Sequence, residues 1–561
     1  MRRDGRRAGR ARAAVGRRAA WAALLLLGAG CGRSLYSPPA CSDGIDNDGD
    51  GLTDLADPQC ADPGDDDEGP AGDAGGPDDG ESGADGDADV EPDTDVPVEA
   101  EADVEPDADA DVGPESDVDA DAGPDTEVEP DADVADDGGD DGEVYVPCED
   151  GRPCTTMPVG RCVSGACASV WESTVDGDRF GAAVALDGSR ATTAPMLDPG
   201  YLLIGAPESS SRWGRATAGE ASTRVELGTW DGSRSNELFG HAVAVGPDLG
   251  GATGVLLAVG SKADLLLGIP GRVAIYSGAA PSGPPVHELS GPEADSLFGA
   301  SVAWGPDVDG DTVEDLAVGA PGVLSGGYAS GAVTLYAGGA WTALYSWPGS
   351  RASQFGAAVA RGPAIRPGGE PVTLIGAPLV AGTFTDAGCA YLYEGATDSE
   401  RWSACGDGLY ETFGAAVAAG TDATGDGHGD WAVAGPGWSD GRGRVRLYAA
   451  AGELRVWNGA ATYDDFGWSI ALGPDADGVT GGELLVGAPG VDGDRGRVYL
   501  FRHDEDAPLR TWDGESAGDR FGCAVSLGGD VDGDGLADVL VGACGSGLAS
   551  GKAYLFGSAS W

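Results

Sequence analysis

Three stretches of this chain set carboxylates at alternate positions around a tight turn, a spacing suited to a hard divalent cation. Residues 530–538 read Asp530-Val531-Asp532-Gly533-Asp534-Gly535-Leu536-Ala537-Asp538. Residues 307–315 supply Asp307, Asp309, Asp311 and Asp315, with Thr312 where glycine is usual. Residues 422–430 supply Asp422, Thr424, Asp426 and Asp430. Such a turn points odd positions inward, so that carboxylates and one main-chain carbonyl converge on one ion with about six or seven oxygens. Without a cation, four carboxylates in one turn repel one another. A fourth stretch keeps Asp475, Asp477 and Glu483 but has Val479 at the fifth place, which predicts weaker binding. Calcium is the expected cofactor.

Loops of this kind need strands at both ends, and the chain repeats the unit that provides them. Phe-Gly recurs at Phe180, Phe239, Phe298, Phe355, Phe413, Phe466 and Phe521, at spacings of 59, 59, 57, 58, 53 and 55 residues. Each copy opens with a short apolar run and passes through a loop to a second run. That run ends in Gly-Ala-Pro (Gly205-Ala206-Pro207, Gly319-Ala320-Pro321, Gly376-Ala377-Pro378, Gly487-Ala488-Pro489) or a variant. A third run and a short fourth follow. Runs of four to six β-branched, aromatic and small residues between Gly and Asp are strands. The period predicts an all-β fold, a seven-bladed β-propeller over residues 168–561. The seventh copy lacks a fourth strand, and residues 168–173 are expected to supply it by pairing with Lys552–Phe556.

Composition narrows the function further. The formal charge is −61, and residues 61–147 hold 36 acids and no Lys or Arg. Residues 168–561 hold 49 acids and 22 bases, a net of −27. Nucleic acid is excluded as a partner by this balance. The four histidines, His241, His287, His428 and His503, show no catalytic spacing. Gly514-Glu515-Ser516-Ala517-Gly518 matches a nucleophile elbow by letter, but it lies in a polar loop rather than between strand and helix. No catalytic residue is assigned.

Ahead of the repeats the chain changes character several times. Eight arginines between Arg2 and Arg18 precede an apolar run from Ala19 to Ala29, too short to span a bilayer of ~30 Å. The sequence Gly28-Ala29-Gly30-Cys31 resembles the lipobox of bacterial lipoproteins, which implies a signal peptide over 1–31, acylation of Cys31, and a lipid anchor. Gly32 after that cysteine fits an outer-membrane or cell-surface destination. Removing Cys31 from eleven cysteines leaves ten, an even number for an oxidising compartment. Expected bridges are Cys41–Cys60, two among Cys148, Cys154, Cys162 and Cys167 with connectivity open, Cys389–Cys405 and Cys523–Cys544. Inside 41–60, Asp46, Asp48, Asp50, the Leu52 carbonyl, Asp54 and Asp57 follow EF-hand spacing. The stretch resembles a short Asp-rich metal-binding motif of bacterial surface lipoproteins. Residues 61–147 bury too little apolar surface to fold and form a disordered acidic linker longer than the roughly 50 Å of a neutral coil. A Cys-rich knot over 148–167 closes it.

The order of Phe-Gly, acidic loop and Gly-Ala-Pro resembles the FG-GAP repeats of the integrin α-subunit head, a seven-bladed propeller. The resemblance covers 168–561 and implies that the acidic loops between strands one and two bind calcium, with the carbonyls of Val313, His428 and Leu536 joining the acidic ligands. It also implies that the phenylalanines pack between blades and that partners meet the face opposite those loops. Here that face carries Trp213, Phe384, Trp438 and Arg495. The expected function is a binding or adhesion module for an extracellular protein or glycan. A propeller-based lyase or hydrolase and a passive coat protein are the alternatives. The inner runs Gly181-Ala182-Ala183-Val184-Ala185 and Gly299-Ala300-Ser301-Val302-Ala303 offer an enzyme little to work with.

Overall fold

Small and β-branched residues alternating between glycine turns leave little room for helix, and the helical pieces among the described residues are single turns of four residues. The computed structural model describes residues 161–558, apart from 176, 188–199, 250–253, 264–267, 351, 382–383 and 546–549. The signal peptide, Cys31, the Asp46–Asp57 loop, Cys41, Cys60, Cys148, Cys154 and the acidic linker lie outside the described residues. Blade one is an antiparallel sheet of Ala183–Leu186, Tyr201–Ala206, Arg215–Glu220 and Val225–Asp231, taken in chain order. Blades two to six repeat that order. The first strand of each blade lies against the first strand of the next, and Phe521–Leu527 of blade seven returns to Ala183–Leu186. The result is a closed seven-bladed β-propeller.

Closure uses the expected strand. Ala166–Glu172 pairs antiparallel with Lys552–Phe556, placing Ala168 opposite Phe556 and Glu172 opposite Lys552. The sheet runs further back than residue 168, because Arg161–Val163 pairs with Ala166–Ala168. Ser164 at φ 53° and Gly165 at φ 77° form the two-residue turn. Two left-handed residues match the twist of the flanking strands, so a tight hairpin forms over 161–168, and the rest of the expected Cys-rich knot lies outside the described residues. Cys162 and Cys167 in this hairpin are both disulfide-bonded.

The core is divided into seven layers, one at each blade boundary. Each layer holds one phenylalanine of a Phe-Gly pair, no more than 7% exposed, between strands of two neighbouring blades. Phe239, for example, lies between Ala216 and Trp230 of blade one and Tyr276 of its own blade. The following glycine takes φ between 81° and 91° in all seven copies, a conformation costly to residues with a Cβ. Its carbonyl oxygen then occupies the place where a Cβ on the second-strand glycine of the preceding blade would sit. This holds for Gly205 against Gly240, Gly319 against Gly356, Gly376 against Gly414, and Gly542 against Gly181 at the closure. Blade five is the exception, with Ala434 in that place facing Gly467.

In blades one, five and six the outermost strand is held by a cross-strand side-chain pair at one shared register. Arg215 and Asp231 meet at 2.7 Å, Arg497 pairs with Asp513, and Arg444 bonds Asn458 at 3.1 Å. At this place blade four carries the expected Cys389–Cys405 disulfide, with Cα atoms 4.0 Å apart. The expected Cys523–Cys544 bridge is corrected: both are buried free thiols. Cys523 sits in a bulge of the first strand of blade seven. There its sulfur accepts the Cys544 amide at 3.0 Å and turns its own proton to the Gly181 carbonyl of blade one. Burial raises its pKa well above the usual thiol range.

The glycine seam gives a direct test. Gly376→Ala should cost about 2–4 kcal/mol in chemical denaturation, because backbone meets backbone and neither side can yield by a rotamer change. A loss under about 1 kcal/mol would show that the seam is loose.

Candidate metal centres and the opposite face

All the acidic loops connect strand one to strand two and therefore gather at one end of the propeller. They are shaped by bonds from their own amides. In the seventh loop Asp530 accepts Gly533 and Gly535 at 2.6 and 2.9 Å, Asp532 accepts Asp534 at 3.3 Å, and Asp534 accepts Leu536 at 2.9 Å. The third loop repeats the scheme: Asp307 accepts Gly310 and Thr312, Asp309 accepts Asp311, and Asp311 accepts Val313, all within 3.1 Å. In the fifth, Asp422 accepts Asp426 and Gly427 and Asp426 accepts His428, at 2.6–2.9 Å. Thr312 reaches φ 76° where glycine would be unstrained.

The ninth-place acid is buried in each loop: Asp315 and Asp538 at 0%, Asp430 at 2%. Each accepts an amide from the start of its loop, at 2.8 Å from Val308, 3.0 Å from Thr424 and 2.6 Å from Val531. Carboxylate oxygens come within 4.8 Å of one another among Asp307, Asp309 and Asp311, and among Asp530, Asp532 and Asp538. In the fifth loop Thr424 replaces one carboxylate, and its hydroxyl lies 3.4 Å from Asp422.

The sixth loop gathers more tightly than its sequence suggested. Asp475, Asp477 and Glu483 also meet within 4.8 Å. Glu483 is fully buried; one oxygen accepts the Ala476 amide at 2.6 Å and the other has no hydrogen-bond partner. The extra methylene of Glu483 carries its carboxylate into the group, while Arg502 reaches Asp477 at 3.2 Å. Glu at the ninth place was the available signal in the sequence.

The acids in these loops outnumber the cations that face them, Arg502 beside Asp477 being one. Burial first, opposed by backbone hydrogen bonds and aided by neighbouring acids, pushes Asp430 up to about 6, Asp538 up to about 8 and Glu483 up to about 8. Asp315 is raised for the same reason. Carboxylates held this close and this dry, with one buried oxygen of Asp430 and one of Glu483 unpartnered, fit a divalent cation. Oxygen-only donor sets favour a hard ion over a transition metal.

The opposite end is formed by the loops after strand two and those before each Phe-Gly. Trp213 and Phe384 are each 42% exposed there, and Arg495 is exposed. Trp438 is half-buried beneath the Arg444 guanidinium, 3.9 Å from the ring centre. Ser516 lies in a turn in which its amide donates to Asp519 at 2.9 Å, and its neighbour Glu515 is engaged by Lys552 and Tyr554.

Residues 298–336, which span the first three strands of blade three and its acidic loop, match the FG-GAP repeat family. The chain is 31% identical over 236 residues to integrin alpha-PS2 of Drosophila melanogaster, covering 37% of this chain and 16% of that protein. It is 32% identical over 219 residues to integrin alpha-V of Gallus gallus, covering 35% of this chain and 20% of that one. Integrin alpha-5 of Xenopus laevis is 31% identical over 162 residues, covering 25% and 15%. The chain thus spans a fifth or less of the length of these relatives. The structure is thus a seven-bladed propeller whose third blade matches the FG-GAP repeat, and part of the chain is similar to integrin α chains.

The raised carboxylates predict a pH dependence. An acid whose folded pKa exceeds its unfolded value near 4 stabilises the fold below that value and loses the contribution as pH rises. After divalent cations are stripped, the melting temperature should therefore fall as pH rises from 5 to 8.5, the range set by Asp430, Glu483 and Asp538. Asp538→Asn should flatten the fall. A melting temperature that is constant or rises over this range would contradict the electrostatic account.

Proposed function

We propose that this chain is a calcium-stabilised binding or adhesion module displayed outside the cell. The observation that carries the proposal is the repeated loop: two turns with one hydrogen-bonding scheme and a third that varies it present Asp307, Asp309, Asp311 and Asp315, then Asp530, Asp532, Asp534 and Asp538, then Asp422, Thr424, Asp426 and Asp430, at one end of an FG-GAP propeller. The carbonyls of Val313, His428 and Leu536 complete the proposed ligand sets. Calcium bound there stabilises the folded ring by linkage, because the unfolded chain holds no such site. The ion fixes the loop end and leaves the far end free for recognition. There Trp213, Phe384, Trp438 and Arg495 are the proposed contacts for an extracellular protein or glycan, aromatic and Arg residues being the usual anchors of binding surfaces.

The segments before residue 161 fit the same reading. A signal peptide ending at Cys31 exports the chain and anchors it by lipid, the Asp46–Asp57 loop binds a further calcium, and the acidic stretch over 61–147 acts as a stalk. Self-repulsion along that stalk keeps the propeller away from the anchoring surface.

The test compares thermal unfolding of the full chain in chelator and in millimolar calcium with that of the Asp309→Ala, Asp426→Ala, Asp532→Ala triple variant. The wild type should gain several degrees in calcium, since an ion at about 100 times its Kd adds about 2.7 kcal/mol per site. The triple variant should gain almost nothing. Equal behaviour of the two proteins, with no calcium retained by the wild type after dialysis, would reject the proposal.

A further inference from the structure

The acidic loop of blade seven is bonded to the chain just past the strand that closes the ring. Ser558 lies two residues beyond Phe556 and is buried. Its amide donates to Asp538 at 2.7 Å, and its hydroxyl donates to Asp534 at 2.7 Å. Phe556 pairs on one side with Val539, the residue after Asp538, and on the other with Ala168 of the N-terminal closing strand. One serine thus ties two carboxylates of the loop to the end of the strand on which closure depends.

The ladder registers identify the equivalent residues in the other acidic blades as Gly338, Ala450 and His503. Gly338 repeats the amide bond, to Asp315 at 3.1 Å, but has no hydroxyl to give. The double contact therefore belongs to the blade whose outermost strand comes from the far end of the propeller domain. In blades one to six that strand follows on directly from its neighbour and needs no such tie.

We propose that Ser558 is a positioning residue that couples cation occupancy of loop 530–538 to closure of the ring. This rests on the reading of that loop as a calcium site. An ion that draws Asp534 and Asp538 into its ligand shell holds both acceptors in place for Ser558. Ser558 in turn fixes the end of Lys552–Phe556 against Ala166–Glu172. With the acceptors free to move apart, the same bonds loosen and the N-terminal strand frays first, as the segment whose pairing spans the greatest sequence separation.

Hydrogen exchange of the amides in 166–172, measured on the full chain with and without calcium and alongside a count of bound calcium by equilibrium dialysis, tests the coupling. Calcium should slow exchange in that strand. Ser558→Ala should retain the same number of ions yet lose about tenfold of the slowing, the size expected for one hydrogen bond to a charged acceptor. Ser558→Thr should restore it. Wild-type behaviour of Ser558→Ala would overturn the proposal. Asp532→Ala separates it from the calcium reading. An unchanged ion count in that variant removes the site and the proposal together. One ion fewer, with calcium still slowing 166–172 as in wild type, overturns the coupling alone.

Discussion

Each blade boundary but one rests on a single close approach, the carbonyl of a Phe-Gly glycine against a second-strand glycine of the preceding blade. The contact works only because the first glycine takes a left-handed φ and the second has no Cβ. Backbone is thereby brought to backbone, the innermost strands meet directly, and the adjacent phenylalanine is left to fill the layer behind them. The contact recurs at six of the seven boundaries, the closure between blade seven and blade one included. Ala434 in blade five shows the tolerance of the design: its methyl group meets Gly467, which keeps its own Cβ position empty.

That geometry also sorts charge. In every blade strand two runs from the loop after strand one to the turn that follows it, so the ring collects the acidic loops at one end and the loops after strand two at the other. Carboxylates crowded by the fold cannot move apart without breaking the amide bonds that shape each loop. Burial and neighbouring acids raise the proton affinities of Asp430, Glu483 and Asp538, a strain that a divalent ion would relieve. Arg502 supplies part of that relief to the sixth loop from the protein itself.

Much of this was legible from residue order alone. The Phe-Gly period exposed the blades because a glycine forced by backbone contact must recur at every boundary, and closure followed from a missing fourth strand matched by a spare one at residue 168. The parts that escaped depend on local geometry. Ser164-Gly165 does not look like a hairpin turn until both residues are seen at positive φ, which moved the start of the sheet back to Arg161. Cys523 and Cys544 are close enough in sequence to suggest a bridge, yet a bulge turns the first thiol toward blade one. In the sixth loop Val479 obscured the group that Glu483 completes, and Ser558 carries no motif at all.

The claim that most needs a direct answer is that the acidic end of the ring holds calcium. Crystals of the full chain grown in calcium, with anomalous scattering data collected at long wavelength, would locate the ions. The account predicts anomalous peaks bounded by Asp307–Asp315, Asp422–Asp430 and Asp530–Asp538, each at about 2.3–2.6 Å from its oxygens. Loops with ordinary water density and no anomalous signal would contradict it, and would leave the acidic loops as solvated turns of the propeller.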